Sequence, residues 1–457
     1  MDKSEYNKKI ISSRKWLLLP IETKAREFHA KVLFACFAAQ RGWGVIIGPR
    51  HVIRKEQAFL PKGIIIEKSV TPLDENHISE SLQNGNFVTG WDEEGLVYFN
   101  KDDYFERRIS KKALLKLDKF FCWGEKQYND LISDPDIEKD KLLITGNPRF
   151  DLLRKEIRGF YQNDLFKKRY GNYILINTKF GAIIPNDSYS RKYYSYIDYM
   201  KASGRCRSVR QELLLKKHIE LQKQTLDYYL KLIPELSKRF TFHKIIIRPH
   251  PSENDNFWKK QTKSLSNVAV IYKGNANEWI FSADAMIHSN CTTGIEAYLM
   301  DRPSISYLPV RDHSVEACLA NDLSVRAESI EEVIDILEKI INGNLTINKT
   351  TTQRKIVACH VAGINGDFAS KRIIDYIEGY LHVAAESFIF SRPLSYCLWS
   401  YLQNIKKFFK PINKRFNNIS KKELSHTITL LEAKTKLFDS IKYKQIKNDT
   451  FVICKDY

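Results

Sequence analysis

Between Trp16 and Ile47 the chain runs apolar strand, amphipathic helix, apolar strand, and that order dictates a parallel sheet. The run Trp16–Ile21 is continuously apolar, as expected of a strand buried on both faces. Residues 23–41 then place Ala25, Phe28, Val32, Ala35, Cys36 and Ala39 at helical spacing, Gly42 provides the stop, and residues 43–47 return as a second strand. Parallel neighbours need a crossover of this length. The alternation continues less regularly through 63–66, 87–90, 120–123 and 141–145. After a polar, helical stretch at 151–172 it resumes at 173–177, 244–247, 268–272, 285–288 and 304–308, with a helix over 329–341. Two such halves predict an α/β protein of two Rossmann-like domains facing a central cleft. The expected boundaries are 14–150, 172–380 and a basic, aromatic helical tail over 381–457. Residues 181–215 are too long for an ordinary connection and read as a functional loop or an insertion.

The chain has 457 residues, 43% hydrophobic and 28% charged, which excludes disordered and fibrous classes. Eight cysteines are scattered without metal or disulfide spacing, which fits a reducing compartment. The N-terminal apolar run is too short for a signal peptide and no later run approaches the ~20 residues of a membrane span, so a cytoplasmic protein is expected. A net charge of +19 favours acidic partners. From residue 400 onward thirteen Lys/Arg stand against five Asp/Glu. There the segment 391–416 interleaves Trp399, Tyr401, Phe408 and Phe409 with Lys406, Lys407, Lys410, Lys414 and Arg415. Such a run suits an anionic membrane face, or a helix packed back across the first domain. Nucleic acid is not an expected partner.

Two strand-end motifs carry the chemistry. KIIIRPHPSE delivers Arg248, His250 and Ser252 at a strand's carboxyl end, where open α/β sheets bind ligands, on a turn stiffened by two prolines. DAMIHSNCTTGIEAYL ends a strand at His288 and crowds Ser289, Asn290, Thr292 and Thr293 at a helix start, with Glu296 in its first turn. Free backbone N–H groups and hydroxyls at a helix start favour an anion, although Ser and Thr also serve there as plain caps. Asn177 and Lys179 end the first strand of the second half, where Lys179 would offset phosphate charge.

Together, RPHP and the later Ser/Thr-rich helix start ending in Glu296 resemble the donor-binding domain of GT-B enzymes. These include polysaccharide glycosyltransferases, CDP-glycerol glycerophosphotransferases and UDP-N-acetylglucosamine 2-epimerase. The string WLLLPIETKAREFHAKVLFACFAAQRGWGVIIGP, with GWDEEG, TGNPRFD and YILINTKFG, resembles the bacterial surface carbohydrate biosynthesis proteins over residues 14–380. Some relatives of that family transfer sialic-acid-like or Kdo-like sugars from CMP donors. The resemblance implies a GT-B-like fold and a nucleotide-sugar donor on Arg248, His250, Ser289, Asn290, Thr292, Thr293, Glu296, Asn177 and Lys179. It also implies a glycan or lipid-linked glycan acceptor, with no metal and no cofactor. A CDP-polyol phosphotransferase and a UDP-sugar 2-epimerase share the same motifs. For the proton acceptor, Asp92, Glu93 and Glu94 in FVTGWDEEG are the first candidates, with Glu94 sharing a face with Asp92 if the strand persists. Glu22, in the first strand-to-helix turn, is the next. Gly146 and Asn147 in TGNPRFD mark a tight turn.

Overall fold

A computed structural model describes residues 11–186, 194–316, 318–345, 348–388, 416 and 418–455. Its strands begin with β1 (Ile11–Arg14), β2 (Trp16–Ile21), β3 (Gly44–Pro49), β4 (Ile64–Glu67), β5 (Phe87–Gly90), β6 (Lys119–Cys122), β7 (Leu142–Ile144) and β8 (Tyr173–Asn177). They continue with β9 (Lys244–Arg248), β10 (Val268–Val270), β11 (Ala285–His288), β12 (Ser304–Tyr307), β13 (Val325–Ala327), β14 (Glu386–Phe388), β15 (Lys442–Lys447) and β16 (Thr450–Cys454). The chain divides into two compact units, each with a parallel sheet and both Rossmann-like. The first comprises Met1–Glu93, Ser110–Leu152 and Ala362–Tyr457, and the second Glu94–Ile109 and Leu153–Val361.

In the first unit the sheet order is β15-β16-β3-β2-β4-β5-β6-β7, parallel from β3 to β7. Its parallel part follows the flavodoxin-like arrangement, so the strand order reverses beside β2 and β4. Strands β2, β3 and β4 are buried along their whole length, which is why they read as uninterrupted apolar runs. In the second unit all six strands are parallel, in the order β10-β9-β8-β11-β12-β13. That is the dinucleotide-binding arrangement, reversing between β8 and β11. The helix Val209–Arg239 lays Tyr229, Leu232, Ile233 and Leu236 against Ile174, Ile176, Ile245 and Ile247 of this sheet. Each such side chain contributes roughly 1.5–3 kcal/mol by leaving water.

The structure corrects the expected tail and the expected continuity of the first domain. Residues 362–457 belong with the first unit, and within them β16 pairs antiparallel with β3 while β15 pairs with β16. The segment TFVIC is buried throughout, and lysines alternate along the outermost strand KYKQIK, a common way to blunt a sheet edge. The basic composition concealed a closing hairpin. Residues 394–415, including the aromatic and basic run, lie outside the described residues. Residues 94–109 leave the first unit for the second.

TGNPRFD accounts for the return of the chain at 362. Gly146 has φ +83°, and an added Cβ would overlap the carbonyl oxygen of Ala362. The Asn147 side chain accepts from Arg149 N at 2.9 Å and so starts the helical turn Pro148–Asp151. Asp151 then accepts from the backbone N–H groups of Ala369 and Ser370, both at 2.8 Å, and from the Ser370 hydroxyl at 2.6 Å. A buried carboxylate thus anchors the start of the helix Ala369–Tyr380 to the turn after β7.

Candidate functional site

The loops that follow β8 and β9 are joined by one buried carboxylate. Glu253 accepts from Thr178 Oγ1 at 2.7 Å, Phe180 N at 2.8 Å, His250 N at 3.1 Å and Trp258 Nε1 at 2.8 Å. Burial pushes its pKa above the usual carboxylate value, against the pull of those four donors. Asn186 N donates to Ser252 O at 2.8 Å and Asn254 N to Ile184 O at 2.9 Å, extending the seam. Gly181 is required in it, since a Cβ there would overlap Ser252 Oγ. Replacing Glu253 with glutamine turns an NH₂ toward groups that are themselves donors. We expect Glu253→Gln to cost the second unit about 2–3 kcal/mol in urea unfolding, the penalty of buried donors left unpaired.

At the end of β9, Arg248 is buried and sends Nη1 to Lys273 O and Nη2 to Gly274 O, both at 2.7 Å. Its guanidinium lies 5.7 Å from the Tyr272 ring centre. Both Nη groups thus hold carbonyls that follow the short strand β10, where Lys273 O also accepts from Trp279 Nε1 at 2.8 Å. His250 is exposed, and its Nδ1 meets Ser252 N at 3.2 Å and Ser252 Oγ at 2.7 Å. Accepting the backbone N–H at Nδ1 places the proton of the neutral ring on Nε2.

The loop after β11 is set by a buried histidine. Ser324 Oγ donates to Ala320 O at 3.0 Å, so at 2.8 Å it accepts from His288 Nε2. Burial and the nearby Lys179 bring the His288 pKa down to about 3, and the ring is neutral. Gly294 fits against this ring, where a Cβ would come within 2.5 Å of Nε2. Asn290 takes a left-handed conformation, φ +52°, which Asn tolerates, and its side chain accepts from Asn321 at 2.8 Å. Thr292 precedes the helix Thr293–Leu299 without making a side-chain cap. The Thr293 hydroxyl has no hydrogen-bond partner among the described residues, and Glu296 is buried in the first turn.

Where the strand order reverses, the loops after β8 and β11 and the helix Val209–Arg239 line a shallow pocket open to solvent. Asn177, Lys179, Ser289 and Asn290, all expected from sequence, line it together. Lys179 Nζ donates to Asn290 O at 3.1 Å, and burial lowers its pKa. The opposite wall is His218, Gln222, Thr225 and Tyr229 from one face of the long helix. Among the described residues, no partner exists for Asn177 Oδ1, His218 Nδ1, Gln222 Oε1 or the Tyr229 hydroxyl. His218, Gln222 and Tyr229 escaped the sequence reading, although their i, i+4, i+11 spacing aligns them on one helical face.

The four candidate carboxylates are distributed differently from expectation. The strand ends at Gly90, so Asp92 and Glu94 do not share a face. Asp92 is fully buried. Glu93 is buried too, accepting from Trp91 Nε1 at 2.8 Å with Lys31 at 3.8 Å. Glu94 turns outward in the second unit and pairs with Arg108 at 2.8 Å. Glu22, beside the reversal point of the first sheet, is the partly exposed one in the first unit, paired with Lys68 at 2.7 Å and Arg50 at 3.0 Å. Burial opposes its charge, but Lys68 and Arg50 outweigh that and bring its pKa down to about 2. Around it Arg50 and Arg54 also bind Glu67 and Asp74.

Among solved structures, the chain is similar to the S. aureus MnaA–UDP complex, at 13% identity over 83% of this chain and 99% of that one, with a TM-score of 0.48. It is similar to the Neisseria meningitidis UDP-GlcNAc 2-epimerase bound to UDP-GlcNAc, at 14% identity, 80% and 100% coverage and a TM-score of 0.48. The wall teichoic acid polymerase TagF gives 11% identity, 80% and 89% coverage and a TM-score of 0.49. No protein-family model and no curated protein matches the chain.

Among the described residues no group of three or more His, Cys, Asp or Glu could hold a metal ion, and no helix is long and apolar enough to cross a membrane.

Proposed function

We propose that this chain is a nucleotide-sugar-dependent glycosyltransferase of bacterial surface-polysaccharide biosynthesis that holds its donor on the carboxyl edge of the second sheet. The observation that supports it is the pocket at the reversal between β8 and β11, where Lys179 stands among buried polar groups that lack partners. Reversal points of such sheets are where nucleotides bind. The donor phosphates would meet Ser289, Thr292, Thr293 and the Nε2–H of His250, as anions do where hydroxyls and N–H groups converge.

In the transfer, an acceptor hydroxyl oxygen bonds to the anomeric carbon as the bond from that carbon to the donor phosphate oxygen breaks. The nucleotide leaves with the electron pair. We assign the hydroxyl proton to Glu22, the candidate that combines exposure with a place at a reversal point. A carboxylate this acidic is a weak base in water, but it orients the hydroxyl and takes the proton as the hydroxyl acidifies in the transition state.

The test is incubation of purified protein with CMP-, UDP-, GDP- and CDP-linked donors, with and without glycan acceptor, following nucleotide release. Acceptor-stimulated release from one nucleotide-sugar donor is the expected result. Glu22→Gln should lower that turnover at least about a hundredfold while nucleotide affinity stays within about twofold. Release of CMP from a CDP-polyol would instead make the chain a phosphotransferase. Conversion of a UDP-sugar to its epimer would overturn the transferase assignment.

A further inference from the structure

Resting on the donor site proposed above, we infer that the pocket between Lys179 and the long helix takes the polyhydroxylated sugar portion of the ligand, and not its phosphates. The inventory of unpartnered groups decides this. Asn177 is nearly fully buried and its Nδ2 faces Met286 Sδ at 3.2 Å, which leaves the carbonyl oxygen Oδ1 as an acceptor without a donor. Tyr229 is fully buried and its hydroxyl has no partner among the described residues. The pair His218–Gln222 is joined by one hydrogen bond, 2.9 Å between His218 Nε2 and Gln222 Nε2.

If the Gln222 amide donates, His218 carries its proton on Nδ1 and Gln222 Oε1 is left as an acceptor. If the amide is turned over, His218 donates from Nε2, leaving Nδ1 as an acceptor and the Gln222 NH₂ as a donor. Either way the pair leaves one donor and one acceptor unspent. The wall therefore presents at least two acceptors, Asn177 Oδ1 and one from the pair, beside the donors.

A phosphate group offers acceptor oxygens almost exclusively, and would face those acceptors lone pair to lone pair. Each sugar hydroxyl both donates and accepts, so a ring bearing several can satisfy all of these groups at once. Phe180 and Leu221 supply apolar wall for the C–H faces of such a ring. Lys179 is the pocket's one cationic lining residue, and matches a sugar carrying no charge or a single carboxylate.

Two measurements test this. In the first, the ring signals of His218, identified by their loss in His218→Gln, are followed by NMR while a neutral hexose, a sugar acid or inorganic phosphate is added. Movement with either sugar and none with phosphate is expected; movement with phosphate alone, or with none of the three, overturns the inference.

In the second, affinities for free nucleotides and for the intact nucleotide sugar are measured on the wild-type chain and on Gln222→Leu, which preserves shape and helix propensity. The variant should bind free nucleotide within about twofold of wild type and the nucleotide sugar at least about tenfold more weakly. Equal weakening of both would overturn the inference. A wild-type chain that binds no nucleotide at all would instead defeat the donor-site proposal, and the pocket would then stand or fall on the NMR titration.

Discussion

Gly146→Ala is expected to destabilise the first unit by about 2–5 kcal/mol, and Gly42→Ala by only about 1–2. Both glycines sit in the left-handed region, at φ +83° and +85°. A residue with a Cβ pays about 1–2 kcal/mol for that conformation wherever it occurs. At Gly42 the cost ends there, because an added Cβ meets nothing within 4 Å. At Gly146 it would also meet the Ala362 carbonyl, and a backbone atom cannot rotate away as a side chain can. Relieving that overlap should cost another ~1–3 kcal/mol. Trp16, Trp43, Trp91 and Trp123 are all buried in this unit, so urea unfolding followed by tryptophan fluorescence reads the difference. Equal losses in the two variants would show that 146 and 362 are not in contact.

The second large effect is a loss of stability in mild acid. Burial, reinforced by Lys179, brings the pKa of His218 and of His288 down to about 3, and Arg107 adds to the effect at His218. In the unfolded chain each ring titrates near pH ~6.5. As pH falls below that value the unfolded state takes up protons that the folded state refuses, and stability declines until the folded rings titrate near pH 3. The direction is fixed: stability rises with pH wherever the unfolded state binds more protons. At pH 5 each ring should cost about 2 kcal/mol relative to pH 7.5, about 4 together, offset in part by Glu253, whose raised pKa acts in the opposite sense. Against a typical domain stability of ~5–15 kcal/mol that is a large fraction. Urea midpoints between pH 7.5 and 5 measure it, and His218→Gln should remove about half of the decline. A second unit whose midpoint does not move over this range would contradict the neutral assignment of both rings.

The parts legible in sequence were those where one force dominates. Strands β2, β4, β8 and β11 are buried from end to end, and β9 in all but its first residue, so WLLLPI, IIIE, YILIN, AMIH and the IIIR of β9 announce themselves by composition alone. The chemistry gathered at their carboxyl ends was legible for the same reason, since a strand end fixes where the next side chain must sit. Asn177, Lys179, Ser289 and Asn290, singled out at such strand ends, line one pocket. The structural partners of Arg248 were not legible, because they are carbonyls 25 and 26 residues away and backbone acceptors leave no mark in the sequence. His218, Gln222 and Tyr229 were hidden in a helix of 31 residues whose exposed face is also polar. Tertiary packing alone separates pocket residues from solvated ones there. The hairpin β15–β16 was lost behind its lysines: the amphipathic alternation was present, but net charge is a property of a segment and pairing is a property of its alternate residues.

That hairpin imposes a schedule on synthesis. Ile47 of β3 pairs with Phe451 of β16, about 400 positions later. At roughly 5–20 residues per second, a ribosome leaves that edge of β3 without its partner for about 20–80 seconds. The second unit is complete at Val361, before the last segment of the first has been made. The half of the chain that starts first therefore finishes last, and for that interval it carries an open apolar strand edge of the kind that pairs with foreign chains. Chaperone demand on the nascent chain should accordingly track the first unit, and a circular permutant that opens with β15–β16 should need less of it.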